Sequence, residues 1–256
     1  MSGTFRLYPR LSAFIRGRIW FLILVLTTMT DVAAQGVYAA QRKAMVDTIA
    51  ALTRETAGET GRASLGARVL AAMNTVPRHR FVPADQEPYA YANRPLPIGN
   101  GQTISQPFIV ALMTDLLDLK ATDRVLEVGT GCGYQAAVLG ELAREVYTIE
   151  IVAPLAQDAA ARLAELGYRN VSARSGDGYL GWPGHAPFDA IIVTAAAPDV
   201  PPALIEQLKP GGNLVIPVGA QWSGQDLLVI EKDLQGKATM RTALAVRFVP
   251  LTREKE

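Results

Sequence analysis

The chain has 256 residues, of which 49% are hydrophobic and 19% are charged, so it can close a sizeable core and is not globally disordered. Its single cysteine, Cys132, excludes a disulfide scaffold and a multi-cysteine metal site, and its two histidines argue against a histidine-rich metal centre. The formal net charge of +1 provides no electrostatic footprint for DNA or RNA. We therefore expect no metal and no nucleic-acid partner.

The first forty residues have the pattern of a segment outside the fold. A basic stretch precedes a short apolar run over residues 19–26, and small residues follow. This pattern is typical of a secretory signal peptide or a short anchor, because the run is shorter than the roughly 18–20 residues that span a bilayer. A start at Met29 or Met45 would explain it equally well. We expect residues 1–40 to lie outside a single domain of residues 41–256.

Residues 41–106 are predicted to form a helical cap and a lid. Apolar residues at helical spacing predict helices over Ala44–Leu52 and Leu65–Val76. Between Pro77 and Pro107 the chain is rich in proline and glycine, which excludes a regular helix or a central strand. Irregular segments of this length in compact domains are usually lids or binding loops.

Residues 107–256 are predicted to form the core, in which strands alternate with helices. Pro107 suits the first turn of a helix that runs towards Asp118. Further helices are predicted over Tyr134–Leu142 and over Pro154–Leu166, with Gly167 as a C-terminal stop. The predicted strands are Arg124–Val128, Val146–Ile149, Val171–Ala173, Ala190–Val193, Leu214–Val218, Leu227–Ile230 and, at a sheet edge, Val246–Leu251. This alternation predicts an α/β fold with a doubly wound, mostly parallel, Rossmann-like sheet.

A glycine-rich loop follows the first predicted strand of the core. Gly129, Gly131 and Gly133 occupy alternate positions, and Glu127 precedes them by two residues. At the carboxyl end of a strand, such glycines let the backbone turn sharply and approach a ligand closely. Glu150 closes the second strand about 20 residues further on, where a carboxylate that binds ribose hydroxyls is expected. These residues indicate a cofactor that contains adenosine.

Two cofactor classes remain open on spacing alone. The sequence that starts at Gly131 matches the spacing of the G-x-G-x-x-G/A motif of dinucleotide-binding proteins. An NAD(P)-dependent oxidoreductase is therefore an alternative. A carboxylate beside the loop, and a second acidic loop at Asp177-Gly178, would however repel a pyrophosphate. Three carboxylates at successive strand ends, Glu127, Glu150 and Asp177, better suit a cationic ligand without phosphate, such as S-adenosylmethionine.

The stretch Glu127–Gly133 resembles the first motif of the Rossmann-like methyltransferases that use S-adenosylmethionine. The wider pattern, spread in order over residues 44–251, is similar to the protein-L-isoaspartate O-methyltransferase family. The similar stretches are His79–Pro83, Pro95–Gly99, Gly101–Pro107, Leu126–Tyr134, Gly176–Gly178, Phe188–Ala196, Leu208–Gly212 and Phe248–Leu251. The glycine motif alone is weakly specific, whereas Thr103–Pro107 together with the other stretches is strongly specific.

The resemblance implies methyl transfer from S-adenosyl-L-methionine to the α-carboxyl of L-isoaspartyl residues in damaged proteins and peptides. The ester would then close to a succinimide, which reopens partly to aspartate. Ser105 is the implied catalytic residue. The candidate cofactor-binding residues are Glu127, Gly129, Gly131, Gly133, Glu150, Asp177 and Gly178. The candidate substrate-binding residues are Thr103, Ile104 and Val249. A relative that binds S-adenosylmethionine without catalysis is a second alternative.

The expected partners are therefore isoaspartyl proteins and peptides, and we expect a monomer. The N-terminal segment has an apolar run that is compatible with transient membrane contact or with export. Because S-adenosylmethionine is a cytoplasmic metabolite, however, we expect a cytoplasmic protein, with the periplasm or a membrane anchor as the alternative.

Overall fold

The computed structural model describes residues 36–220 and 224–253. The predicted signal-like or anchor-like segment, apart from residues 36–40, lies outside the described residues. The chain divides into two units, Met1–Gln41 and Arg42–Glu256, and the description below concerns the second. Over the described ranges, no helix has both the length and the apolar character that crossing a bilayer requires.

The N-terminal part is helical, as the hydrophobic spacing predicted. Within this unit, residues 42–55 form helix α1, which contains the predicted helix Ala44–Leu52. Helices α2 (Ala57–Thr60) and α3 (Ala67–Thr75) follow, and α3 buries Val69 and Met73. The segment after α3 consists of two short 3₁₀ turns, Arg78–Phe81 and Ala84–Tyr89. Its high proline content is consistent with the absence of a longer helix there.

A two-stranded hairpin lies within the segment that the sequence predicted only as an irregular lid. Strand β1 (Leu96–Gly99) pairs antiparallel with β2 (Gln102–Ile104), and neither strand belongs to the main sheet. Asn100 and Gly101 connect them with φ angles of 52° and 70°, which is the conformation that a two-residue hairpin turn needs. The hairpin ends immediately before Ser105.

The main sheet has the predicted doubly wound, mostly parallel arrangement. Its strands are β3 (Arg124–Val128), β4 (Glu145–Glu150), β5 (Val171–Ser175), β6 (Phe188–Val193), β7 (Leu208–Val218), β8 (Gln225–Lys232) and β9 (Ala238–Val246). They are ordered β5-β4-β3-β6-β7-β8-β9. The pairs from β5 to β7 are parallel, whereas β8 and β9 are added antiparallel. The chain order reverses between β3 and β6, and ligands of such sheets bind at the carboxyl ends there.

Helices precede and connect the parallel strands, and their ends follow local sequence signals. Helix α4 (Pro107–Leu116) leads into β3, and the connecting helices are α5 (Tyr134–Gly140), α6 (Ala153–Glu165) and α7 (Pro202–Gln207). Pro107 occupies the first turn of α4, and Gly167 has a φ of 86° just beyond α6, as predicted. Helix α7 was not predicted, because its apolar positions are few and it spans only six residues.

The centre of the sheet is buried on both faces, as the continuous apolar runs predicted. Every residue of β3 from Val125 to Val128 is buried, and Ile191 and Ile192 in β6 have no exposed surface. A strand covered by helices on both faces needs apolar residues at successive positions. This covered centre fixes the carboxyl ends of β3, β4 and β6 next to one another.

The prediction of an edge strand over Val246–Leu251 was wrong. The edge strand is β9, which ends at Val246, and residues 247–251 leave the sheet. The buried side-chain amide of Gln225 accepts a hydrogen bond from the backbone N–H of Phe248 at 2.6 Å and donates one to the Phe248 carbonyl at 3.2 Å. These side-chain bonds take the place of the backbone hydrogen bonds that a neighbouring strand would make. Pro250 has no N–H to donate and forms an isolated bridge with Ala196.

Candidate active site

A cleft lies at the carboxyl ends of β3, β4 and β6, between the hairpin and residues 249–252. It encloses about 750 Å³ of empty space, part of which is open to solvent. The predicted site residues that line it are Thr103, Ile104, Ser105, Gly129, Gly131, Glu150, Gly178 and Val249. The fold therefore brings the lid motif, the glycine loop and the C-terminal motif to one place.

The glycine loop adopts a backbone conformation that favours glycine. Gly129, Gly131 and Gly133 have φ angles of 100°, 52° and 89°. A Cβ atom on Gly129 would collide with the hydroxyl oxygen of Thr194, which donates to the Gly129 carbonyl at 2.6 Å. Gly133 does not line the cleft; a Cβ there would instead press against Leu163 of α6. Its role is to let α5 begin close to α6.

Glu150 joins the end of β4 to the glycine loop. One carboxylate oxygen accepts the backbone N–H of Gly131 at 2.7 Å, and the other accepts that of Val152 at 3.0 Å. The side chain lines the cleft, although its residue is only 6% exposed. Two backbone donors fix the orientation of the carboxylate, and each oxygen retains a further lone pair for a ligand donor.

Glu127 is not placed as the sequence predicted. It lies within β3 with no exposed surface, it does not line the cleft, and neither of its carboxyl oxygens has a hydrogen-bond partner. Burial raises the pKa of Glu127 to about 8, an effect that the nearby charge of Glu150 reinforces. At neutral pH the carboxyl is thus mainly protonated. Glu127 therefore presents no negative charge in the cleft to a cationic ligand such as S-adenosylmethionine.

Asp177 makes a structural contact through its carboxylate that the sequence did not predict. Its carboxylate accepts the backbone N–H of Tyr179 at 2.8 Å and so caps the 3₁₀ turn Gly178–Leu180. It does not line the cleft, whereas its neighbour Gly178 does. A Cβ on Gly178 would collide with the side chain of Val128, so this turn needs glycine to lie against β3. Gly178 thus brings the backbone of this loop to the cleft, and the role of Asp177 in cofactor binding stays a prediction.

Residues 249–252 form the wall of the cleft opposite the lid. The N–H of Ala196 donates to the Val249 carbonyl at 2.8 Å, and the N–H of Leu251 donates to the Ala196 carbonyl at 2.7 Å. The hydroxyl of Tyr179 donates to the Leu251 carbonyl at 3.2 Å. This wall therefore depends on contacts with the loop after β6 and with the turn after β5.

Several lining residues were not predicted. They include Gln102, Cys132, Gln135, Thr194 and Thr252. Thr194 directly follows β6 in the centre of the sheet. Because ligands of such sheets bind at the carboxyl ends of the strands, its position after a predicted strand could have identified it. The remaining polar residues belong to no pattern that links them before the fold is known. Cys132 is buried, and burial raises the pKa of its thiol, which agrees with a small loop residue rather than a reactive thiolate.

The charge of the cleft discriminates between ligand classes. Of the described residues that line it, Glu150 is the only charged one, and no lysine, arginine or histidine is among them. A pyrophosphate would find no cation there, and the fixed carboxylate would repel it. An adenosine ligand with positive charge and hydrogen-bond donors suits these residues. The predicted ligand class therefore agrees with the charge of Glu150 among the described lining residues.

Comparisons with known proteins agree with this geometry. The model of the family described as "Protein-L-isoaspartate(D-aspartate) O-methyltransferase (PCMT)" matches residues 58–256. A Cupriavidus necator protein named protein-L-isoaspartate O-methyltransferase 1 is 60% identical over 219 residues, which are 86% of this chain and 85% of that protein. A Polaromonas protein named protein-L-isoaspartate O-methyltransferase 2 is 61% identical, over 82% of this chain and the whole of that protein.

A solved structure gives the same result at lower identity. A protein-L-isoaspartate O-methyltransferase superposes with a TM-score of 0.71 at 27% identity, over 82% of this chain and 65% of the other chain. This chain thus shares its fold with that solved structure, and the family match covers more than half of its residues. The chain belongs to the protein-L-isoaspartate (D-aspartate) O-methyltransferase family.

Proposed function

We propose that this protein transfers a methyl group from S-adenosyl-L-methionine to the α-carboxyl of L-isoaspartyl residues in damaged proteins and peptides. One observation carries the proposal: a single cleft contains the Thr103 and Ser105 hydroxyls, the glycine loop and the Glu150 carboxylate. The family match and the curated relatives support the same reaction. The ester then closes to a succinimide without the enzyme, which starts the repair.

The residues of the cleft fit the methyl donor. Glu150 lies where it can accept hydrogen bonds from ribose hydroxyls, and the positive-φ backbone at Gly129 and Gly131 allows close approach of an apposed ligand. A Plasmodium falciparum protein described as a putative member of this family was solved in complex with S-adenosyl-L-homocysteine, and it shares the fold with a TM-score of 0.68 at 23% identity. When bound, S-adenosylmethionine supplies an electrophilic methyl group on a sulfonium.

The acceptor needs orientation rather than deprotonation. A carboxyl group with an ordinary pKa is ionised at neutral pH, so the reaction requires no general base. This agrees with a cleft whose described lining residues include no histidine. We assign the hydroxyls of Thr103 and Ser105 to hold the acceptor carboxylate by hydrogen bonds, with its oxygen in line with the methyl group.

Exclusion of water is the second contribution of the protein. Opposite charges neutralise each other in this transfer, and water stabilises the separated charges more than the neutral products. Apolar residues of the cleft such as Ile104, Val128, Ile149 and Leu251 limit hydration around the reacting groups. The hairpin and residues 249–252 would enclose the peptide from two sides.

The decisive experiment measures transfer of a tritiated methyl group to an isoaspartyl peptide beside its aspartyl twin. We expect incorporation into the first peptide only. Binding of S-adenosylmethionine without transfer to any isoaspartyl peptide would identify a non-catalytic relative. Calorimetric binding of a nicotinamide dinucleotide, with no heat from S-adenosylmethionine, would instead support the oxidoreductase. Neither the charge of the cleft nor the family match favours these two alternatives.

We further propose that the protein acts as a cytoplasmic monomer, because its methyl donor is made in the cytoplasm. Sequencing the amino terminus of the native protein tests the location. A start near Gln35 would indicate processing and export, an intact Met1 would indicate an anchor, and a start at Met29 or Met45 would remove the signal-like segment. Sedimentation of the purified protein tests the monomer, and cosedimentation with vesicles tests membrane contact.

A further inference from the structure

Arg78 is a fully buried arginine for which the proposed reaction has no direct use. It begins the 3₁₀ turn Arg78–Phe81 and has no exposed surface. Within the described part of the chain, no carboxylate forms an ion pair with it, and its Nη1 has no hydrogen-bond acceptor. Burying a guanidinium without a counter-ion destabilises a fold unless other contacts compensate. Its other contacts therefore require an explanation.

The guanidinium of Arg78 joins three parts of the chain. Its Nε donates to the carbonyl of Ala90 at 2.8 Å, and its Nη2 donates to the carbonyl of Ser105 at 2.6 Å. Its central carbon lies 4.7 Å from the centre of the Tyr134 ring. The planar fork of arginine can make two divergent hydrogen bonds while it stacks on an aromatic face. A lysine ammonium cannot reproduce this combination.

Two of these three partners belong to the cleft. Ser105 lies between β2 and α4, outside both elements, and Tyr134 begins α5 directly after the glycine loop. Both residues line the cleft, whereas Arg78 does not. The bond to the Ser105 carbonyl, combined with the contact to Tyr134, therefore sets the position of the Ser105 backbone relative to the glycine loop.

We infer that Arg78 is a positioning residue for methyl transfer, which acts by holding the backbone of Ser105 so that the Ser105 hydroxyl meets the acceptor carboxylate. The inference rests on the proposed function, because it assumes that this hydroxyl orients the acceptor. Arg78 touches neither the donor nor the acceptor. Its loss should accordingly lower the rate of transfer and leave the affinity for the methyl donor nearly intact, since a small misplacement near reacting atoms is costly to the rate.

The experiment is a double-mutant cycle on kcat with the full chain and an isoaspartyl peptide. We expect Arg78→Lys to lower kcat roughly 10- to 100-fold, while the Kd for S-adenosylmethionine from calorimetry changes by less than about threefold. In the Ser105→Ala background, where the hydroxyl is already absent, Arg78→Lys should cost little more. That non-additivity separates positioning of Ser105 from a general structural role, which would reduce kcat by the same factor in both backgrounds.

Arg68→Lys is the matched control. Arg68 also donates to two backbone carbonyls, those of Leu119 and Leu142, but neither residue lines the cleft. We expect its kcat to equal that of the unmodified protein. If Arg78→Lys does not fold by circular dichroism, Arg78→Gln replaces it, because the amide retains a donor without a buried charge. Failure of both variants to fold would assign Arg78 to folding and overturn the inference.

The outcomes for the inference and for the proposed function are distinguishable. Absence of methylation by the unmodified protein would overturn the proposed function itself. Methylation by the unmodified protein, with an unchanged kcat in Arg78→Lys or with equal losses in both backgrounds, would overturn only the role of Arg78. A rise in the donor Kd that accounts for the whole loss would likewise assign Arg78 to the cofactor site instead.

Discussion

The carboxylate of Glu150 accepts the backbone N–H of Gly131 at 2.7 Å, so the acidic end of β4 and the glycine loop after β3 form one rigid unit. The sequence predicted both as cofactor residues but did not predict that one holds the other. Within the described lining of the cleft, this carboxylate is also the single charged group. Affinity for a cationic donor should therefore depend on Glu150 more than on any other side chain.

Replacement of Glu150 by Gln should weaken binding of S-adenosylmethionine about 10- to 100-fold, because hydrogen bonds to a charged group contribute about 1.5–3 kcal/mol. The Gln amide also has an NH₂ group that cannot accept from Gly131 or Val152. Isothermal calorimetry measures the change. Glu206→Gln, an exposed substitution in α7, is the control and should leave the Kd unchanged. An unaltered Kd in Glu150→Gln would remove this residue from the cofactor site.

Replacement of Ser105 by Ala should reduce kcat for an isoaspartyl peptide about 10- to 100-fold while the donor Kd stays near normal. Ser105 lines the cleft, and Arg78 bonds to its backbone carbonyl rather than to its hydroxyl, so stability should change little. Radiolabelled methyl transfer and calorimetry provide the two readouts. Ser172→Ala, on the exposed side of β5, is the matched control. Full turnover by the Ser105 variant would exclude a catalytic role.

The buried carboxyl of Glu127 should make stability depend on pH. Its pKa is about 8 in the folded chain and near the ordinary 4.5 in the unfolded chain. The folded state thus binds one more proton between these values, so this group lowers the free energy of unfolding as pH rises through that window. Below about pH 4.5 both states are protonated and the effect vanishes.

Glu127→Gln cannot ionise and should remove this dependence. The free energy of unfolding in urea should shift in favour of the Gln variant by roughly 3 kcal/mol between about pH 5 and about pH 8, since one pKa unit corresponds to about 1.4 kcal/mol. A difference between the two proteins that is constant over this range would contradict the raised pKa.

Substitution of Gly178 by Ala should destabilise the protein by about 1–3 kcal/mol, because the added methyl group meets the side chain of Val128. Thermal and urea unfolding measure the effect. Gly184→Ala is the control, since a Cβ there has no neighbour within 4 Å. In a Val128→Ala background, Gly178→Ala should cost less than it does in the unmodified protein if steric overlap is the cause. Equal stability of the Gly178 and Gly184 variants would refute the close packing.

Predictions from sequence succeeded where one physical requirement governs a continuous stretch. The predicted strand Arg124–Val128 matches β3 residue for residue, because its β-branched and apolar residues suit a buried strand and the glycine loop ends it. The start of α4 at Pro107 and the stop at Gly167 likewise follow from the backbone chemistry of single residues.

Predictions failed where a competing contact comes from distant residues. The apolar pattern of Val246–Leu251 is typical of a strand. The backbone N–H and carbonyl of Phe248 are however hydrogen-bonded to the Gln225 side chain, and no residue near Phe248 in the sequence indicates this contact. Spacing placed Glu127 at a strand end without indicating how deeply its carboxyl would be buried. Spacing likewise did not indicate that the Asp177 carboxylate caps its own turn.

The wall formed by residues 249–252 has a consequence for the timing of activity. The sheet is complete at Val246, yet the cleft lacks one side until the following residues dock beside Ala196. A chain still emerging from the ribosome, or one trimmed by a protease after Val246, would thus retain its folded scaffold without a competent site. Completion of the site therefore depends on residues 249–252 and not on the sheet alone.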